Sequence, residues 1–252
     1  MKGDGVLTII IPVLSVTDEV KQLCERLIQS LDCEIILSQA KGSESETNKI
    51  GDDNITDDIS IVGVRVICEA RGRGAQLKAG AQYAMGVQSD KGAISDESTQ
   101  SIKANWLLFM HGDSIIDERW CEAVRAHMQG NGQRAAYFKL RFDDQGWRPR
   151  LLERLVALRC RLFALPYGDQ AMLISRTLYE RVGGYKDMPL MEDVDLVKRL
   201  GRGQLQSYRQ VITTSAERYQ RAGYFSRIIK NSYCLYLYFT ATPIEKIKKV
   251  YE

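Results

Sequence analysis

Residues 6–13 (VLTIIIPV) are apolar at consecutive positions rather than at alternate ones. A strand with that pattern has to be buried on both faces, and a sheet offers this where helices cover both its sides. The next segment supplies such a helix. Val20, Leu23, Cys24, Leu27, Ile28 and Leu31 recur at helical spacing, with Ser15, Thr17 and Asp18 as available caps. The rhythm then repeats, predicting strands over residues 33–38, 61–68 and 106–110 and helices over 74–87 and 117–128. Strands alternating with helices predict an α/β fold with a parallel sheet and right-handed crossovers. In such sheets ligands bind beyond the carboxyl ends of the strands. That rule directs attention to residues 12–17, the chain from Gln39 onward, residues 69–74 and residues 111–114.

The second half has a different rhythm. Strands are predicted over residues 135–142, 171–175 and 211–215, and helices over 151–163, 177–182 and 191–200. The tail from 224 to 251 is aromatic and basic and reads as two helices parted near Pro243. Residues 39–60 and 88–103 are polar, acidic and serine-rich, the composition of surface loops. The expected organisation is one α/β domain over residues 1–222 with a helical tail, 223–252, packed on it. A chain of 252 residues, 44% apolar, can bury a core that needs no disulfide support. Its six cysteines are scattered without a CxxC pair, which argues against a zinc site or a disulfide framework and suits a reducing compartment. No secretion signal or bilayer-spanning stretch is legible, so a cytoplasmic location is expected. A formal charge of +3 is too small to argue for nucleic acid.

Four short segments carry groups capable of chemistry. His111-Gly112-Asp113-Ser114 directly follows an apolar strand, which puts Asp113 at the carboxyl edge of the sheet. A carboxylate there can hold a hard divalent cation, Mn2+ or Mg2+, that bridges two phosphate oxygens. His111 is a second candidate ligand, and Gly112 would let backbone approach a bulky ligand. The competing reading is an Asp-initiated turn, with Asp113 capping the helix that follows. Glu192, Asp193 and Asp195 open another predicted helix, where the dipole favours negative charge in any case. Read as chemistry, Asp193 is a general base, and the apolar flank at 188–191 would raise its pKa. Residues 71–80 (RGRGAQLKAG) combine glycines and cations at a strand-to-helix turn, which suits a diphosphate. The same residues also suit a solvated basic turn or, less well, an RNA contact. Gly168-Asp169-Gln170 is by itself an ordinary turn. Arg159 and Arg161, two apart on a helix, need not face one site. The aromatic, basic tail leaves a peripheral membrane contact open.

In order and spacing these segments resemble family 2 glycosyltransferases of the GT-A fold, a Rossmann-like, mostly parallel central sheet flanked by helices. The similarity extends in particular to the subgroup called radical-SAM/selenodomain-associated transferase 2. It rests on residues 10–14 (IIPVL), 71–76 (RGRGAQ), 106–114 (WLLFMHGDS), 168–170 (GDQ), 182–185 (VGGY) and 189–193 (PLMED). The resemblance implies inverting transfer from a nucleoside-diphosphate sugar to an acceptor that the sequence does not identify. Asp113 takes the place of the metal-binding acid, with His111 where many members have a further Asp. Asp193, with Glu192 beside it, takes the place of the catalytic base. Pro12, Leu14, Arg71, Arg73, Gln76, Gly112 and Asp113 fall on the donor side, and Gly168, Asp169 and Gln170 on the acceptor side. Two features depart from the family. Ser15-Val16 stands where Asn-Glu is usual, and the second strand lacks the acid that helps hold the nucleotide base, so no donor nucleotide is named. Two other classes compete. A nucleotidyltransferase should carry a glycine-rich loop after the first strand, where this chain has Leu14, Ser15, Val16 and Thr17. A non-catalytic nucleotide- or nucleic-acid-binding module would use Arg71 and Arg73 without needing Asp193.

Overall fold

The computed structural model describes residues 6–41, 61–69, 72–87, 104–130 and 133–251. Arg71 and most of the two polar segments, residues 42–60 and 88–103, lie outside the described residues. In chain order the elements are β1 (Leu7–Val13), α1 (Asp18–Ser30), β2 (Glu34–Ala40), β3 (Val64–Glu69), α2 (Arg73–Ala84), β4 (Trp106–Phe109), β5 (Ile115–Ile116) and α3 (Trp120–Gln129). There follow β6 (Ala135–Phe142), α4 (Trp147–Phe163), β7 (Met172–Ser175), α5 (Arg176–Arg181), α6 (Glu192–Leu200), β8 (Leu205–Thr214), α7 (Glu217–Ala222), α8 (Tyr224–Phe239) and α9 (Ile244–Tyr251).

The eight strands form one sheet in the order β3-β2-β1-β4-β7-β6-β8-β5. From β3 to β4 every pairing is parallel. Beyond β4 the sheet is mixed, with β7 antiparallel to β4 and to β6, β6 parallel to β8, and β8 antiparallel to β5. The consecutive apolar residues of β1 divide between the two faces. Ile9 and Ile11 enter one core with Leu37 and Leu108, and Ile10 enters the other with Ile36 and Leu107, all without exposure. On the Ile10 face α2 lies so close that a Cβ on Gly80 would stand 2.5 Å from the Ile10 side chain. That contact seats the start of α2 at the carboxyl edge of the sheet.

Several boundaries differ from the sequence reading. Gln39 and Ala40 belong to β2 rather than to the loop after it. Helix α3 starts at Trp120, not at 117, because residues 115–116 form β5 and Asp117 closes a turn by accepting from the Arg119 N–H at 2.9 Å. Helix α4 starts at Trp147, with Pro149 in the first turn, where N–H groups have no intrahelical partner to lose. Strand β8 starts at Leu205 rather than at 211. Its first half is polar and partly exposed, so it lacked an apolar signature. The tail forms α8 and α9 as expected, and its Cys234 and Ile247 are fully buried in the Ile10-side core.

Candidate active site

The carboxyl ends of β1 and β2 are tied together by one side chain. Gln76, on the first turns of α2 and only 4% exposed, donates through Nε2 to the Val13 carbonyl at 2.8 Å and to the Ser38 carbonyl at 2.5 Å. Its amide nitrogen is thus committed to holding the strand ends. Pro12 lies on β1 opposite Ser38 of β2, and Leu14 follows β1 in an exposed position.

Next along the edge, β4 ends and residues 111–114 form a turn, closed by the Ser114 N–H on the His111 carbonyl at 3.3 Å. Asp113 therefore does not cap a helix; α3 begins several residues later without a side-chain cap. Its carboxylate is about half exposed, and Oδ1 lies 3.9 Å from Nδ1 of His111. A Cβ on Gly112 would meet only ordinary contacts with Val20, Val13 and Ile11, so packing alone does not require glycine there. One carboxylate and one imidazole on the same turn are an acceptable partial donor set for Mn2+ or Mg2+. Among the described residues no group of three or more His, Cys, Asp or Glu could hold a metal ion alone. A cation at Asp113 would need further oxygen ligands, and a diphosphate has them.

The other wall is built where α2, the 168–170 turn and the start of α6 meet. A Cβ on Gly74 would stand 2.5 Å from the Met188 carbonyl, so α2 begins directly against the segment leading into α6. This brings Arg73 to Glu192, with Nε 3.2 Å from Oε1. The Arg73 guanidinium also lies over Gly168, where a Cβ would fall 1.9 Å from its Nη2. The Gly168 N–H donates to Oδ2 of Asp193 at 2.8 Å, and the Val194 N–H donates to Oδ1 at 2.7 Å. Both oxygens of Asp193 are thus oriented by backbone. Two non-glycine residues here, Met191 (φ 64°) and Ala171 (φ 48°), hold left-handed backbone. Such conformations cost about 1–3 kcal/mol each and cluster at functional sites. The third acid of α6, Asp195, faces elsewhere, taken by Lys186 at 3.2 Å, Arg199 at 2.6 Å and the Tyr238 hydroxyl at 3.4 Å.

Asp169 sits on the same turn as Gly168. Burial pushes its carboxyl up to about 6, against the pull of Arg159 and Arg73; Asp193 and Asp113 add to the rise. Its Oδ1 is buried without a hydrogen-bond partner among the described residues. Burial also raises Glu192, with Arg73 opposing. It holds the Tyr185 hydroxyl in its neutral form, beside Arg73, Asp193 and Glu192.

Gln170 is buried and internal. Its Nε2 donates to the Phe138 carbonyl at 3.0 Å, and its Oε1 accepts from the Tyr167 N–H at 3.3 Å. The structure therefore gathers Arg73, Gly168, Asp169, Glu192 and Asp193, with Asp113 on the turn beyond β4, while Gln76 and Gln170 brace the walls. Arg159 and Tyr185 join the site although neither is a site candidate on sequence grounds. Arg159 stacks 3.3 Å over the Tyr167 ring and donates from Nε to the Leu165 carbonyl at 2.9 Å. A signal for it existed, since Arg159 follows Leu152 by seven positions and Val156 by three and so borders the buried stripe of α4.

No family model matches this chain, and no curated protein matches it. Solved structures do. TarS from S. aureus is 10% identical over 98% of this chain and 69% of its own, with a TM-score of 0.55. The same protein in complex with UDP-GlcNAc is 10% identical over 83% of this chain and 58% of its own, again at 0.55. The mannosyltransferase PcManGT from Pyrobaculum calidifontis, in complex with GDP-Man and Mn2+, is 14% identical over 91% of this chain and 65% of its own, also at 0.55. This chain thus spans between 58% and 69% of the length of these structures. At such identities the likeness establishes the fold, an α/β fold of the GT-A type with a mixed, mostly parallel eight-stranded sheet.

Proposed function

We propose that this chain is an inverting glycosyltransferase that moves a sugar from a nucleoside-diphosphate donor to an acceptor hydroxyl. The observation that carries the reading is a convergence at one turn. Gly168, on the turn that carries Asp169, donates to Asp193 at the start of α6 and lies under the Arg73 guanidinium, which pairs with Glu192. We read Asp113, on the turn beyond β4, as the acid of the phosphate side and Asp193 as the acid of the acceptor side. Two structurally similar proteins are in complex with UDP-GlcNAc and with GDP-Man, which supports a nucleotide-sugar ligand here. The ordered motifs, similar to those of the radical-SAM/selenodomain-associated subgroup, support it further.

In this reading Asp193 is the base. Two backbone N–H groups fix its carboxylate, which removes the proton from the acceptor hydroxyl as that oxygen attacks the anomeric carbon. The new C–O bond forms on one face while the bond to the diphosphate breaks on the other, so the anomeric configuration inverts. Arg73 and Arg159 supply positive charge near the leaving diphosphate. Glu192 holds Arg73 in place from a site only 3% exposed. Mn2+ or Mg2+ at Asp113, with His111 as a further ligand, would neutralise the diphosphate charge when bound.

The test is calorimetric titration of UDP and GDP into the protein with Mn2+. One of them is expected to bind, and Asp113→Ala should remove the metal dependence of binding while leaving the melting temperature unchanged. If neither nucleotide binds in the presence of metal, the assignment is lost.

A further inference from the structure

Helices α4 and α8 are apolar on two faces, and only one face of each is covered. In α4 the covered face is Pro149, Leu152, Val156 and Cys160. On the opposite side Trp147, Leu151, Leu155, Leu158 and Leu162 are 37–64% exposed. In α8 Tyr224 and Cys234 are buried, while Phe225, Ile229, Tyr233 and Tyr236 are 49–69% exposed. Steps of three and four residues put each exposed set on a single stripe. A helix that packs only on its own domain needs one such stripe. The two outer stripes adjoin, with the rings of Trp147 and Phe225 centred 6.4 Å apart. Eleven of the sixteen exposed large apolar side chains among the described residues lie on these two helices. Apolar surface concentrated in this way marks an interaction site.

Charge decides which partner fits. Helices α4, α8 and α9 carry ten Lys and Arg against two acids, Glu153 and Glu245, in a chain whose net charge is only +3. The rest of the chain is therefore net negative, and the positive charge collects here. Arg148, Arg154 and Arg161 are exposed beside the α4 stripe, and Lys246 and Lys249 are exposed on α9. Glu153 is taken by Arg150 at 2.6 Å. A second copy docked by a two-fold axis would set this cationic rim against itself with almost no acids to meet it. An apolar, aromatic stripe edged by Lys and Arg instead suits the interface of an anionic bilayer. No helix among the described residues is long and apolar enough to cross a membrane.

We propose that the α4–α8 face docks this chain on the surface of an anionic phospholipid bilayer, with the apolar stripes among the acyl chains and the arginines and lysines at the headgroups. Arg159 reaches the candidate active site from the flank of the same helix α4, so a docked chain holds that site close to the headgroups. The inference does not depend on the transfer chemistry.

The test is flotation of the full chain with vesicles of phosphatidylcholine, alone or mixed with phosphatidylglycerol. The protein should float with the mixed vesicles, less so as salt is raised, and not with phosphatidylcholine alone. Leu155→Glu with Ile229→Glu alters two exposed positions, and the far-ultraviolet circular dichroism should stay unchanged while binding falls at least about tenfold. Trp147 gives a readout without a disruptive change, since Trp106 and Trp120 are buried. Mixed vesicles should shift its emission to the blue, and Trp147→Phe should remove that shift. Absence of both flotation and the blue shift would overturn the proposal. So would flotation of the double variant equal to that of the wild type. A wild-type dimer in sedimentation equilibrium that the double variant splits into monomers would assign the face to a second copy instead.

Discussion

Gly168→Ala tests the wall of the site at its tightest point. Gly168 does not occupy left-handed backbone, so alanine fits its conformation. The added methyl would fall 1.9 Å from Nη2 of Arg73 and 2.9 Å from its Cζ. The guanidinium is the far end of a flexible side chain and will move, but moving it breaks the 3.2 Å pairing with Glu192. Glu192 is then left 3% exposed without its counter-ion. Removing one partner of a buried pair costs about 3–5 kcal/mol, and because Arg73 is itself a third exposed the expectation falls to about 1–3 kcal/mol. The same loss should follow from Arg73→Ala. The informative measurement is therefore the double-mutant cycle by urea denaturation. In the Arg73→Ala background, Gly168→Ala should cost no more than about 0.5 kcal/mol, giving a coupling of about 1–3 kcal/mol. The cost of Gly168→Ala should also be larger at alkaline than at acid pH, because a stranded Glu192 can be neutralised by protonation. Additive effects of the two substitutions would refute the packing argument.

Other positions give further expectations. Asp169 has a carboxyl pKa of about 6, raised by burial, so its proton is held in the folded state and released on unfolding. Its contribution is most favourable below the unfolded pKa and is lost as pH rises through about 6. Asp169→Asn should thus leave stability unchanged near pH 4 and raise it by roughly 1–2 kcal/mol near pH 8, as read from thermal melts. Gln76→Leu strips partners from two buried carbonyls and should lower stability by about 2–4 kcal/mol in urea titrations, with nucleotide affinity falling as the strand ends part. Asp195→Ala removes the group shared by Lys186, Arg199 and Tyr238. It should speed proteolytic cleavage within α8 while leaving the first half of the chain protected.

The parallel half of the sheet was legible because β1 buries both faces and its sequence is apolar at consecutive positions. The position of Asp113 at the carboxyl edge was legible too, because it directly follows an apolar strand. What sequence could not supply was long-range contact. Nothing local tells that Gly74 abuts the carbonyl of Met188, or that Arg73 rests on Gly168, more than ninety residues away. Short or polar elements escaped as well. Strand β5 has two residues, α7 has one aromatic side chain, and the first half of β8 is polar because it lies toward the edge of the sheet. The turn at Asp113 fits a helix cap in sequence, but β5 intervenes between it and α3. For Arg159 the informative spacing is to Leu152 and Val156 on the buried stripe of α4, not to Arg161.

The proposed role of Asp193 as the base in sugar transfer is open to direct measurement. The direct measurement is turnover of the nucleotide sugar whose diphosphate binds, with water as a surrogate acceptor, followed by proton magnetic resonance. The wild type should release sugar of inverted anomeric configuration. Asp193→Asn should lower that rate by about a hundredfold or more while keeping nucleotide affinity within about twofold of the wild type. An unchanged rate in Asp193→Asn, or release of sugar with retained configuration, would contradict that role.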